Sequence, residues 1–385
     1  MYLDRRLIDQ INESLEHVPV TAVLGARQVG KSTLVKHILS SKDSMYLDLE
    51  RPSDLNKLED AELFFSSQKD KLICIDEVQR KPEIFPLIRS LVDERNRNGC
   101  FLILGSASRD LLNQSSETLA GRISYKKLTP FLWSEIKDRF TIEAYFSRGG
   151  FPRSLLAKKD ETSYNWREDF ITTFLERDLL QWRNFIPVTM RRLWQMLAHN
   201  NGQTADYSTL AKSLSISSVT IKNYIDLLEE TFMLKTVPPY TSNLGKRLVK
   251  SPKIYLSDTG ITATLLGLRN YEAIIGHSAF GSLWEQMVLN NLIGHFPNAE
   301  FYFYRTTGGA EIDFMMTLYG KVYAIECKAS LSPKLSVGNF NAIEDISPTQ
   351  TFVVVPANDS ESWAMKNGIE VVSLTGLIAK IEHFI

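Results

Sequence analysis

Over its first 155 residues the chain gathers its apolar side chains into short runs: VTAVLG at 20–25, SMYLDL at 44–49, KLICIDE at 71–77 and CFLILGS at 100–106. Each run is apolar on both faces and bounded by polar residues or glycine, the pattern of a buried parallel strand. KSTLVKHIL, residues 53–67 and IFPLIRSLVDERNR lie between them with helical spacing. Strand alternating with helix predicts a three-layer α/β domain over 1–155. From 156 to 275 the pattern turns mostly helical. EDFITTFLERDLL and MRRLWQMLAHN precede two short stretches, one carrying Leu210 and Leu214, the other Val219, Ile221, Tyr224 and Leu228, with Ser215–Ser217 between them. This predicts a helix-turn-helix, with FMLKTV as the first strand of a wing. Residues 276–385 open on a long amphipathic helix, SLWEQMVLNNLIGHF. Strands EFYFYR, EIDFMMTL and VYAIECKA follow, then a polar helical stretch and TFVVVP. A small α/β domain with a hairpin at Tyr319-Gly320 is expected there.

Within this frame, Gly25-Ala26-Arg27-Gln28-Val29-Gly30-Lys31-Ser32-Thr33 matches GxxxxGK[ST] between a strand and a helix start. Its glycines let backbone N–H groups wrap a polyphosphate, Lys31 neutralises β/γ charge, and the Ser32 hydroxyl ligates Mg2+. Further along, a buried strand ends in Asp76 and Glu77. Asp76 is expected to hold Mg2+ through water and Glu77 to polarise the attacking water, so ATP hydrolysis is favoured over mere nucleotide holding. Ser106, closing the strand at 101–105, fits either a γ-phosphate sensor or a helix cap. Arg122, in a short glycine turn, fits either a nucleotide contact, in its own or a neighbouring subunit, or a surface arginine. Arg148 is a similar, weaker candidate.

A second constellation lies near the C-terminus: Glu285 on the long helix, Asp313 in Glu311-Ile312-Asp313, and Glu326-Cys327-Lys328. Glu326 and Lys328 alternate along one strand and share a face. Asp313 and Glu326 on neighbouring strands are expected to bind Mg2+ and activate water for attack on a phosphodiester, with Lys328 stabilising charge and Glu285 assisting. The competing reading is a structural ion-pair cluster with Lys328 and Arg305. Between Met233 and Ser257 no acidic residue occurs, while Lys235, Lys246, Arg247, Lys250 and Lys253 are basic and Tyr240 and Tyr255 are interleaved. Such a patch suits nucleic-acid phosphates. The second helix of the helix-turn-helix, VTIKNYIDLLEET, has one lysine against three acids, which favours packing or oligomerisation over base reading.

Composition narrows the field only a little. Lys+Arg is 44 and Asp+Glu 45, a net charge of -1, so nucleic-acid binding has to come from a local patch. Three scattered cysteines, at 74, 100 and 327, give neither a disulfide framework nor a zinc site, and the histidines show no metal spacing. With no apolar run of ~18 residues and no signal-peptide core at the start, a cytoplasmic protein without membrane contact is expected.

GARQVGKST at 25–33, ICIDE at 73–77, LGSAS at 104–108, LAGR at 119–122 and GGFP at 149–152 together resemble the AAA-type P-loop ATPases of the archaeal and bacterial STAND-related clade, over essentially the whole chain. The resemblance implies ATP hydrolysis with Ser106 as sensor and Arg122 as an arginine finger. It also implies assembly into a ring or dimer, a winged-helix region and a C-terminal domain. Asp313…Glu326-x-Lys328 is similar to the PD-(D/E)xK core of restriction endonucleases, with Ile312-Asp313 in place of Pro-Asp. The expected whole is an α/β protein in three parts: a P-loop three-layer αβα ATPase domain (1–155), a helical and winged-helix domain (156–275), and a restriction-endonuclease-like α/β domain (276–385). It would be a homo-oligomer acting on DNA in repair, recombination or defence. The alternative is an ATP-dependent switch or signalling scaffold whose nuclease-like domain is catalytically dead and binds a partner.

Overall fold

The computed structural model describes residues 2–105, 118–179, 185–240, 249–357 and 361–384; Ser106, Lys246 and Arg247 lie outside the described residues. The chain divides into two compact units, Met1–Phe131 with Glu230–Phe232, and Leu132–Glu229 with Met233–Ile385.

The first unit is built on a five-stranded parallel sheet of β1 (Val20–Leu24), β2 (Ser44–Asp48), β3 (Leu72–Asp76), β4 (Phe101–Gly105) and β5 (Ile123–Lys127), in the order β2-β3-β4-β1-β5. The three central strands β3, β4 and β1 are buried at every position, which is why they read as unbroken apolar runs. β2 is an edge strand and only half-buried. The other edge, β5, has the sequence ISYKK and no buried residue; the apolar pattern gave no sign of it. Helices Lys31–Leu39 and Phe85–Arg95 form where helical spacing is seen, but the stretch at 53–67 is broken into Pro52–Asn56 and Ala61–Ser67.

The second unit begins with helices. Asp160–Thr173 and Pro187–His199 lead to Tyr207–Leu214, a turn through Ser215 in the left-handed region, and Ser218–Glu230. A two-stranded antiparallel sheet follows, β6 (Leu234–Val237) with β7 (Lys253–Leu256). The helix Phe280–His295 then packs beside a six-stranded mixed sheet of β8 (Glu300–Arg305), β9 (Glu311–Leu318), β10 (Lys321–Cys327), β11 (Gln350–Val354), β12 (Ser362–Ala364) and β13 (Glu370–Val372). Its order is β12-β13-β11-β10-β9-β8. β8, β9 and β10 form an antiparallel meander, turning at Tyr319-Gly320 with both residues at positive φ, and β11 adds in parallel after the helix Val337–Ile346. The helix Phe280–His295 is not amphipathic, because it is buried nearly all round. Two of its buried side chains reach partners outside the helix: Asn291 Oδ1 accepts from Trp133 N at 2.7 Å, and Trp284 Nε1 donates to the Val354 carbonyl at 3.1 Å.

Candidate functional site

The segment 25–33 leaves the C-terminal end of β1 and runs into the helix Lys31–Leu39. Gly25 is fixed by contact, since a Cβ there would stand 2.3 Å from the Leu128 carbonyl oxygen. Gln28 and Gly30 take φ of 60° and 103°, left-handed positions that turn the chain into a concavity of backbone N–H groups at a helix N-terminus. Lys31 is buried and donates to the Gly25 and Ala26 carbonyls at 2.9 and 3.0 Å. Burial pulls its pKa down, while the Glu77 and Asp76 carboxylates oppose the fall. Arg5 braces the loop from outside the motif. Its guanidinium donates to the Val29 carbonyl at 3.4 Å and the Thr129 carbonyl at 2.5 Å, and lies 4.3 Å from the Phe131 ring centroid.

β3 delivers Asp76 and Glu77 beside this loop, because parallel strands end on one side of the sheet. Ser32 Oγ donates to Asp76 Oδ2 at 2.7 Å, and the Tyr46 hydroxyl donates to the same oxygen. The Glu77 amide donates to Asp76 Oδ1 at 3.0 Å. This donor set fits Mg2+, which is usually held by one or two protein oxygens with phosphate and water completing its shell. Glu77 sits at φ 54° and is held by the Gln79 side-chain amide. Burial pushes its pKa up, with Lys31 opposing and Asp76 adding to the rise. Tyr46 went unnoticed in the sequence, although its alternation with Asp48 on β2, the neighbour of β3, was available as a signal.

Arg122 lies elsewhere. It immediately precedes β5, whose first residue pairs with the first residue of β1, so it stands at the opposite end of the sheet from the phosphate loop. Five strand residues separate the two ends, about 16 Å at ~3.3 Å per residue. Its guanidinium forks onto Asp93, with Nε to Oδ1 at 2.5 Å and a second bond at 3.0 Å. In this arrangement Arg122 is turned to Asp93 and not to the loop at 25–33. Arg148 is also structural. It bonds Asp160 and the Ala157 carbonyl, each at 2.7 Å, and the Gly-Gly after it packs on Asp258, whose carboxylate would lie 2.1 Å from a Cβ at Gly149.

The second constellation does assemble. Asp313 and Glu326 oppose one another across β9 and β10. Glu326 Oε2 accepts from the Asp313 amide at 3.3 Å, and Asp313 Oδ2 accepts from the Cys327 amide at 2.9 Å. Lys328 Nζ bonds Glu326 Oε1 at 2.7 Å. Glu285 joins from the helix, accepting from the Tyr255 hydroxyl and, at 3.2 Å, from Lys253 Nζ. Lys253 also lies 3.5 Å from Glu311 and 3.6 Å from Asp313, with its side chain 3% exposed. Burial lifts Glu285 to about 7 and Glu326 to about 8, Asp313 adding to both rises, while Lys253 opposes the first and Lys328 the second.

Two sequence expectations change here. Lys253 and Tyr255 do not belong to a surface patch for nucleic acid; they are buried within the acid cluster. A lysine in KIYL, a strand buried at all four positions, requires an acidic partner, and that was the signal to follow. Of the other patch residues, Lys235 is paired with Glu229 at 3.4 Å and Lys250 is exposed. As it stands the acid cluster also does not fit the Mg2+ expected at Asp313 and Glu326. An ammonium already sits among the carboxylates, and among the described residues no three His, Cys, Asp or Glu side chains are arranged to hold a metal ion. No helix among the described residues is long and apolar enough to cross a membrane.

Comparison with known proteins bears on the fold of the first unit. An AAA domain profile matches residues 17–137. Two domains of unknown function, DUF8612 and DUF4143, match 139–272 and 280–377. The uncharacterized protein Rv2008c of Mycobacterium tuberculosis is 37% identical over 358 residues, covering 92% of this chain and 81% of that one. The uncharacterized protein MJ1637 of Methanocaldococcus jannaschii is 24% identical over 73% of this chain and 70% of its own length. Among solved structures, the Walker-type ATPase paby2304 of Pyrococcus abyssi is similar, with a TM-score of 0.50 at 15% identity over 69% of this chain and 96% of that one, which shows a shared P-loop ATPase fold.

Proposed function

This chain belongs to the family of the mycobacterial protein Rv2008c and carries an AAA-type P-loop domain, and from that premise we propose that it is a Mg2+-dependent ATPase coupled to a nuclease-like C-terminal domain and working on DNA. The observation that carries the ATPase reading is the meeting of Ser32 Oγ and Asp76 Oδ2 at 2.7 Å behind a loop that Lys31 closes. The 25–33 backbone and Lys31 bind the triphosphate, and Ser32 and Asp76 hold Mg2+, which neutralises phosphate charge when bound. Glu77, its proton affinity raised by burial, accepts a proton from the attacking water as the carboxylate. Ser106 is the proposed sensor, and Arg122 acts on a neighbouring subunit of a homo-oligomer.

DNA as partner is supported by the helix-turn-helix with its two-stranded sheet, which we read as a winged helix, and by exposed Lys250. The helix Phe280–His295, the β8–β10 meander, the helix Val337–Ile346 and parallel β11 follow the order of a restriction-endonuclease-like core. One observation favours a second reading, an ATP-dependent switch whose C-terminal domain binds a partner without cutting: Lys253 lies inside the acid cluster.

ATP turnover with and without single-stranded, duplex and branched DNA separates the two readings. Several-fold stimulation supports work on DNA; slow turnover indifferent to DNA supports the switch. In either case Lys31→Ala is expected to lose ATP affinity, and Glu77→Gln to keep affinity while turnover falls ~100-fold or more. Full ATP affinity in Lys31→Ala would refute the phosphate-loop assignment.

A further inference from the structure

Lys253 stands where a divalent cation would have to stand. Its nitrogen is 3.2 Å from Glu285, 3.5 Å from Glu311 and 3.6 Å from Asp313. Magnesium would need such oxygens at about 2.1 Å, and the two cannot share the space. The lysine is also not a visitor from a mobile loop. β7 is buried along its length, its residue 253 pairs with Val237 on one side and bridges to Thr204 on the other, and the Leu256 amide is bound by Asn201 Oδ1 at 3.0 Å. Charge tells the same story. Four acid side chains, at 285, 311, 313 and 326, face three cations, Lys253, Lys328 and Arg305, so removing Lys253 takes one positive charge out of an acid-rich cluster. The burial of an ammonium is costly unless several acids surround it, and here they do.

We infer that Lys253 is a tethered cation occupying the metal position of a nuclease-like site, so that the acid cluster fastens β7 to the helix Phe280–His295 and to β9 instead of binding Mg2+. This deepens the nuclease-like reading of the C-terminal fold and rests on it, but not on the ATPase reading. The junction it makes joins the two-stranded sheet to the six-stranded one through ion pairs rather than through apolar packing alone.

The test is a Mn2+ titration of nucleotide-free protein, followed by calorimetry and by electron paramagnetic resonance of the ion. The phosphate loop is the same in every protein compared. The unmodified chain and Asp313→Asn are expected to give superimposable curves. Lys253→Met is expected to gain one Mn2+ site at least tenfold tighter than any in the unmodified chain, and Lys253→Met with Asp313→Asn to lose it. A Mn2+ site in the unmodified chain that Asp313→Asn removes overturns the inference, and so does a folded Lys253→Met that gains none. Should Lys253→Met fail to fold, the comparison of the unmodified chain with Asp313→Asn still decides. None of these outcomes depends on ATP turnover, so a failure here leaves the phosphate-loop reading where it was.

Discussion

Ser32, Tyr46 and the Glu77 amide all aim donors at the Asp76 carboxylate, which is itself buried. Such donors keep a buried acid oriented at little cost. Glu326 is treated differently. Lys328 opposes its rise, yet burial and Asp313 carry it to about 8 from the usual 4.5. The folded chain therefore keeps a proton that the unfolded chain releases near pH 4.5. Stability from this group is complete below that value, declines as pH climbs, and is lost through about 8. Glu285, facing Lys253, Tyr255 and Asp313, slopes the same way toward its value of about 7. Urea midpoints measured between about pH 5 and 9 are expected to fall with rising pH, and to fall less steeply in Glu326→Gln. An unchanged slope in that variant would refute the assignment. At this scale the motifs were legible in the sequence, because Gly25–Thr33, Asp76 and Glu77 are contiguous or end a strand. Lys253 was not, because its partners come from a helix and a strand far along the chain, and charge counted along a segment says nothing of what folds over it.

The apolar pattern found the fully buried β1, β3 and β4 and the half-buried β2 in the first sheet, and β8 to β11, each with a buried centre, in the second. β5, β12 and β13 were missed, as was the helix Leu374–His383. β5 and β12 lie at sheet edges with few or no buried side chains, and β13 is three residues long. Joints between elements were equally hidden. Asp258 caps the helix Thr259–Leu265 by accepting from the Ile261 amide at 2.9 Å, and accepts from the Gly150 amide at 2.7 Å. Asp258→Ala removes a cap worth ~1 kcal/mol and orphans a buried amide worth about 1–3 kcal/mol. A loss of about 2–4 kcal/mol in denaturant unfolding is expected, and a change within 0.5 kcal/mol, the range of a neutral surface substitution, would show that this joint is not holding.

At the scale of the whole molecule, the parallel sheet of the first unit sets its polarity. The phosphate loop, Asp76 and Glu77 share one end, and Arg122 with its partner Asp93 occupies the other. The proposal that Arg122 serves ATP therefore places it against the nucleotide of another subunit. Arg122→Ala is expected to lower turnover, and mixing it with inactive Lys31→Ala is expected to restore activity, since each supplies what its neighbour lacks. No recovery on mixing, under conditions where the two associate, would remove Arg122 from the catalytic assembly.

The Arg5 side chain touches both sides of one small gap, the Val29 carbonyl inside the loop and the Thr129 carbonyl just past β5, where the backbone also crowds Gly25. One guanidinium thus ties the turn at 25–33 to the polypeptide where it departs the first unit, and truncating that side chain would leave the two without this shared clasp.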